Sequence, residues 1–201
     1  MRNLIVLSFI TLDGVLQAPG GPEEDTSGDF KFGGWSVGYF DETLGNAMGE
    51  QMGHPFDLLL GRRTYDIFAG FWPEATDETA RAINRAKKYV VSHRPVSLDW
   101  EGTIPISGNV VEKINDIKAE DGPELQVHGS GNLIQTLLKH DLVDELWLKI
   151  FPVVLGSGKR LFADGAIPSG WEVLKSQVSP SGVVVASYAR AGDVKIGSFA
   201  P

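Results

Sequence analysis

The feature that most constrains this chain is an alternation of short apolar runs with stretches of helical spacing between residues 57 and 139. Asp57-Leu58-Leu59-Leu60 has the character of a buried strand and leads into a helix over 62–68. The same reading gives a helix over 76–85, strands over 88–92 and 104–107, a helix over 110–119, a strand over 125–128 and a helix over 132–139. Strands separated by helices pair in parallel, because the crossover returns the chain to the same end of the sheet. An apolar run over 3–11, with almost no polar break, adds a strand covered on both faces. Asp41 can cap a helix running to about Met52, with Leu44, Met48 and Met52 on one face.

After residue 142 the pattern changes. Runs over 143–154, 171–179 and 182–190 are strand-like, and Ser179-Pro180-Ser181-Gly182 can join the last two as a hairpin, so the sheet should end antiparallel. Pro152 implies a bulge or strand edge, since proline has no N–H for a ladder. Residues 12–38 are rich in glycine, proline and acidic residues, yet carry Phe30, Phe32 and Trp35, too many aromatics for a solvated linker. Such a segment is expected to be a lid or binding loop. No repeat or linker divides the chain, so residues 1–201 are expected to form one α/β domain, with no clear pattern after about residue 191.

Composition removes several function classes. With 18 Lys+Arg against 26 Asp+Glu, a net charge of −8 and no basic block, the chain is a poor partner for nucleic acid. The absence of cysteine excludes disulfides, thiolate metal sites and a cysteine nucleophile. His54, His93, His128 and His140 lack metal-ligand spacing, and no Gly-x-Ser-x-Gly elbow occurs. The apolar run that follows Met1-Arg2-Asn3 is too short for a secretory or membrane-spanning segment, so a soluble cytoplasmic protein without a membrane partner is expected.

Two strand-to-helix turns carry the chemistry. Gly61-Arg62-Arg63-Thr64 would combine free backbone N–H groups, the positive end of a helix dipole and two guanidinium groups. Gly129-Ser130-Gly131-Asn132 repeats the device, with glycines that could admit a phosphate close to the backbone. One such turn can be a plain glycine turn whose arginines pair with acidic neighbours, but two favour an extended anion such as a pyrophosphate. The Rossmann fingerprint is not met, because Ile134 stands where its third glycine belongs. Ser92-His93-Arg94 offers further donors after a strand, suited to a ribose phosphate, although it can equally close a loop. Gly156-Ser157-Gly158-Lys159-Arg160 lacks the glycine spacing and Ser/Thr of a P-loop and is expected to be a turn.

In their order along the chain, Ser8-Phe9-Ile10-Thr11-Leu12-Asp13-Gly14, Leu60-Gly61-Arg62-Arg63-Thr64-Tyr65, Gly129-Ser130-Gly131, Val143-Asp144-Glu145-Leu146 and Pro152-Val153-Val154-Leu155-Gly156-Ser157-Gly158 resemble the dihydrofolate-reductase-like superfamily. The branch is the one typified by the reductase domain of the bifunctional riboflavin-biosynthesis deaminase-reductase. That resemblance implies a three-layer fold with a mixed, mostly parallel sheet and NADPH across the carboxyl ends of the strands. Gly61, Arg62, Arg63, Thr64, Gly129, Ser130, Gly131 and Asn132 would then hold the pyrophosphate, with Ser92, His93 and Arg94 near the adenosine ribose and its 2′-phosphate. The 12–38 loop would be the mobile active-site loop.

Folate-reducing relatives place a buried carboxylate on the helix before the Gly-Arg turn, which makes Asp41 and Glu42 the nearest candidate acids and Asp13 the rival. Asp13-Gly14 also reads as a turn and Asp41 as a helix cap. Ile134 stands where folate reductases usually carry a tyrosine, which points away from dihydrofolate itself. The expected activity is hydride transfer from NADPH to a small heterocyclic or ring-opened aminopyrimidine- or pterin-like substrate, in a pocket walled by Trp35, Phe40 and Phe68. A nucleotide-sensing protein of the same fold and a dimeric interaction domain are the alternatives. A homodimer is expected on any of these readings, from the apolar strand surface of residues 146–151 and the final hairpin.

Overall fold

The computed structural model describes residues 1–95, 99–162 and 166–199. Its centre is β1 (Leu4–Thr11), which pairs in parallel with β5 (Glu124–Val127) on one side and with β6 (Glu145–Phe151) on the other. Beyond β5 lie β2 (Phe56–Gly61), β3 (Lys88–Val91) and β4 (Thr103–Ile106), all parallel. Beyond β6 lie β8 (Val184–Arg190) and then β7 (Trp171–Val178), both joined antiparallel. The eight-stranded order is β4-β3-β2-β5-β1-β6-β8-β7, so the hairpin forms one edge of a mostly parallel sheet.

Period-two alternation divides the apolar residues between two faces. Leu4, Val6, Leu59 and Val127 pack under α4 (Val110–Ala119) and α5 (Gly131–Lys139), with Ile114, Leu133 and Leu137. Leu58 and Leu60 point the other way, into Tyr65 of α2 (Arg62–Ala69) and Ile83 of α3 (Glu78–Arg85). On that second face α1 (Glu42–Met52) lays Leu44 and Ala47 against Phe151 and Val185. Helices therefore cover both faces, as the β-α alternation predicts.

Two segments differ from the sequence reading. β6 stops at Phe151, three residues short of the expected end, because Pro152 cannot continue the ladder; Val153 instead accepts a bond of 2.8 Å from the Leu12 N–H. Residues 12–38 hold only two short 3₁₀ turns but are well packed: Val15, Ala18 and Phe30 make a small core of their own, with Trp35 and Leu155 against it. Phe32, by contrast, is half-exposed. Backbone bonds from Leu16 to Lys159 and from Leu161 to Gly14 tie this loop to the segment after β6. Residues 191–199 form neither helix nor strand.

Candidate functional site

β2 and β5 are neighbours, so the turns that leave their carboxyl ends lie side by side, and with them the N-termini of α2 and α5. The Gly61 N–H donates to the Gly129 carbonyl at 3.0 Å. A Cβ on Gly61 would lie 2.2 Å from Ser130 Oγ, and one on Gly129 would lie 2.5 Å from Thr64 Oγ1. These two glycines therefore let the turns abut each other; at Gly129 the space expected for a phosphate is taken by Thr64, whereas a Cβ on Gly131 would meet only Leu16 within 4 Å. The Gly129–Ser130 peptide is cis.

The two helix ends are also unlike the rest. Asp41, Asp77 and Asn109 cap α1, α3 and α4 by accepting from the N–H of Leu44, Ala80 and Glu112. Gly61 and Ser130, at the heads of α2 and α5, make no side-chain cap bond. First-turn N–H groups that lack a side-chain partner carry the positive end of the helix dipole outward.

What they face is a cavity of about 500 Å³ bounded by Arg63, Thr64 and residues 129–132 at one end. Its sides come from the loop (residues 16–20, Glu24, Asp25), from Met48, Gln51 and Met52 of α1, and from Phe68 and Trp72. Its floor is the sheet, through Phe9 of β1, His128 after β5 and Lys149 of β6.

Charge around this cavity is organised. At the rim, Asp25 takes ion pairs from Arg63 at 3.0 Å and Lys159 at 2.6 Å. Burial pushes the Asp25 carboxyl up, but the bonds from Lys159 and Ser27 outweigh it and hold the group below the usual range. Glu24 is pushed up, burial outweighing the bonds from Gly20 and Gly21. On the floor, burial lowers Lys149 to about 7. Burial, with the Lys149 charge adding to it, lowers His128 to about 3, so this imidazole is neutral at physiological pH.

The residues singled out from the sequence divide into those the cavity gathers and those it does not. Arg63, Thr64, Gly129, Ser130, Gly131, Asn132 and Phe68 border it. Arg62 turns outward, to Asp66 at 2.7 Å and to the Pro95 carbonyl at 2.5 Å, which places it beside the 92–95 segment. There Ser92 Oγ donates to the Arg94 carbonyl at 2.8 Å and accepts from the Arg94 N–H at 3.1 Å, closing a turn that leaves His93 and Arg94 exposed.

Asp13 and Asp41 are built into the frame, away from the cavity. Asp13 accepts from Thr11 Oγ1 at 2.6 Å and from the N–H groups of Leu155 and Gly156, and the Thr11 bond leads the causes that hold it low. Asp41 caps α1 through the Leu44 N–H and reaches the Ser181 N–H at 3.0 Å, and these bonds lower it to about 2. Carboxyls held this low are ionised at neutral pH and have no proton to give. Trp35 and Phe40 also lie outside the cavity: the Trp35 indole N–H donates to the Gln17 carbonyl at 2.7 Å, and Phe40 packs on Phe9 at 5.8 Å while half-exposed.

Sequence reasoning missed Gln51, Lys149, Glu24, Asp25 and the inward position of His128. A lysine inside the apolar run Leu146-Trp147-Leu148-Lys149-Ile150-Phe151 was the available signal. Among the described residues no group of His, Cys, Asp or Glu could hold a metal ion, and no helix is long and apolar enough to cross a membrane.

A family model described as the RibD C-terminal domain matches residues 2–185. The chain belongs to that family. This RibD C-terminal domain protein is 29% identical over 192 residues to the uncharacterized protein YyaP of Bacillus subtilis, covering 93% of the chain and 94% of the relative. It is 30% identical over 107 residues to YwjB of the same organism, covering 52% of the chain and 57% of that relative. Among solved structures, it is similar to a protein provisionally assigned to riboflavin biosynthesis from Shewanella sp. PV-4, with TM-score 0.67 and 24% identity over 94% of this chain and 99% of the other. It is also similar to a dihydrofolate reductase from Enterococcus faecalis complexed with NADP(H) and RAB-propyl, with TM-score 0.58 and 15% identity over 94% and 96% of the two chains. At these identities the likeness is one of fold, and the fold is dihydrofolate-reductase-like.

Proposed function

We propose that this RibD C-terminal domain protein is a reductase that uses NADPH to reduce a small heterocyclic or ring-opened aminopyrimidine- or pterin-like compound. The observation that carries the reading is the pair of abutting helix N-termini, α2 and α5, both without side-chain caps and both opening on one cavity. Two positive helix ends side by side, with Arg63 at the rim, suit a pyrophosphate better than a single phosphate. The first-turn N–H groups of α2 and α5 would hold it, with Thr64 and Ser130 hydroxyls beside them. Arg62, His93 and Arg94, exposed beyond the cavity mouth, would meet the adenosine end. Bound reduced nicotinamide supplies hydride; the chain supplies orientation, an apolar wall from Met48, Met52 and Phe68, and exclusion of water.

Titration of the protein with NADPH, followed through tryptophan fluorescence, tests the binding half of this reading, because Trp72 lines the cavity. NADPH oxidation across a panel of pterins and aminopyrimidines tests the other half. Saturable binding with oxidation by at least one panel member is the expected result. Binding without any oxidation would favour a nucleotide sensor, and absence of binding would overturn the proposal. The same reading keeps the protein as a homodimer, supported by the exposed Val173, Leu174 and Val178 on edge strand β7. Light scattering should give twice the 21.8 kDa chain mass.

A further inference from the structure

Among the described residues three lysines are almost completely buried, Lys88 of β3, Lys118 of α4 and Lys149 of β6, and they are not alike. Lys88 donates to the carbonyls of Asn84 and Glu101 and lies over the Trp100 ring. Lys118 pairs with the Asp144 carboxylate at 2.6 Å and donates to the Leu142 carbonyl. Lys149, only 2% exposed, has one hydrogen-bond acceptor among the described residues, the neutral Gln51 Oε1. An ammonium has three donors, and burying it with a single amide partner costs stability that a methionine at the same place would not. Among the described residues, the buried lysine with the fewest hydrogen-bond acceptors is also the one that faces the cavity.

Its place in the sheet fits a role at the reducible end. The helix N-termini that suit phosphates follow β2 and β5, whereas Lys149 is on β6, with β1 between β5 and β6. Two strand spacings separate the α5 turn from Lys149 across the sheet, about 10 Å. With phosphates on the turns, the remaining space between Phe9, Gln51 and Lys149 is where a small ring would lie.

We propose that Lys149 is a catalytic residue: held by Gln51, it donates a hydrogen bond to the heteroatom of the C=N or C=O group being reduced, and gives that heteroatom its proton. The inference rests on the reductase reading above. Hydride addition to the carbon, supplied by a reduced nicotinamide dinucleotide that ends oxidised, sends the π-bond pair onto the nitrogen or oxygen. That atom takes a proton as the Lys149 N–H bond breaks. The product is the amine or alcohol, and the neutral Lys149 amine is reprotonated from solvent. Burial, by bringing this lysine close to neutrality, makes the proton easier to release.

The other ionisable groups do not replace it. His128, in the turn after β5, is neutral and hydrogen-bonds Gln126. From β1 the neighbour is Phe9, from α1 the uncharged Gln51, and from β8 Val185, its pair across the ladder. Arg63, Lys159, Asp25 and Glu24 sit at the rim, where Glu24 is engaged by the Gly20 N–H at 2.7 Å. Glu50, His54 and Lys175 open into a separate groove beyond Gln51.

Two measurements test this and separate it from failure of the reductase reading. In protein carrying ε-¹³C-lysine, the Lys149 signal, assigned by its loss in Lys149→Met, should titrate near pH 7. It should shift when NADP⁺-loaded protein meets at least one of a panel of cyclic imines, lactams and pterins. A signal that titrates in the ordinary lysine range, or that no panel compound moves, would overturn the proposal. Separately, for any compound reduced, turnover should fall as pH rises through about 7 and drop by about a hundredfold in Lys149→Met, with NADPH affinity unchanged. Lys149→Arg, which stays charged, should be slow without that fall. Loss of the pH dependence in Glu24→Gln, with Lys149→Met still active, would assign the proton to Glu24 instead. Failure to bind NADPH would overturn the reductase reading and this proposal with it, whereas NADPH oxidation that is undiminished in Lys149→Met would overturn this proposal alone.

Discussion

Helices α1, α3 and α4 begin with Asp41, Asp77 and Asn109, each side chain closing its own first turn; α2 and α5 begin at Gly61 and Ser130 and leave theirs without that bond. The first group serves the stability of the fold. The second faces the cavity, and its missing cap bonds become useful if an anion completes them. Within one sheet, therefore, the same local device is either satisfied by the chain, as at α4 after β4, or held open for a ligand, as at α2 and α5 after the neighbouring strands β2 and β5.

The largest expected effect is on the open pair. Gly61→Ala would place a methyl 2.2 Å from Ser130 Oγ and 2.9 Å from the Ser130 backbone nitrogen, forcing the two turns apart. Denaturant unfolding should show a loss of about 1–3 kcal/mol from overpacking. NADPH affinity should fall by more than about tenfold, since charge-assisted contacts of this kind are each worth about 1.5 kcal/mol or more. Arg63→Ala removes the guanidinium at the rim while Lys159 still holds Asp25, and affinity should drop about tenfold with little change in stability.

The satisfied ends should respond in the opposite way. Asp77→Ala and Asn109→Ala should each cost about 1 kcal/mol in unfolding and leave NADPH affinity unchanged. Equal effects on binding from the capped and uncapped helices would break the comparison. Arg62→Ala should weaken binding only a few-fold, and NADPH more than NADH, because Arg62 lies outside the cavity beside the 92–95 segment.

The smallest effect concerns acid. The Asp41 carboxyl is lowered from 3.8 to about 2, so the folded state binds its proton less readily than the unfolded one. Its contribution is complete above about 3.8 and is lost as pH falls toward about 2. Melting temperatures measured across that interval should fall less in Asp41→Asn than in the wild-type protein.

Local chemistry made most of the frame legible. The apolar runs of β1, β2 and β5 and the cap residue Asp41 are signals that act within a few positions, and the observed elements start and stop close to them. Long-range partners were not legible. Asp13 and Asp41 look alike in sequence as candidate acids. Only the fold brings the N–H groups of Gly156 and Ser181, 143 and 140 positions away, to hold them ionised. Trp35 was expected in the pocket because aromatics in a glycine-rich loop suggest a lid, yet it is anchored to Gln17 and Phe151. Lys149 was hidden for the converse reason: alternation places it on a face of β6, but which face borders a cavity depends on where α1 comes to rest, about a hundred residues earlier in the chain.

The central claim is that the two open helix ends act together on one dinucleotide. Backbone hydrogen exchange at residues 62–64 and 131–133, measured with and without saturating NADPH, tests it most directly. Both segments should gain protection over the same range of NADPH concentration, while the first turns of α3 and α4 stay unchanged. Protection of one segment alone, or of neither, would contradict the claim.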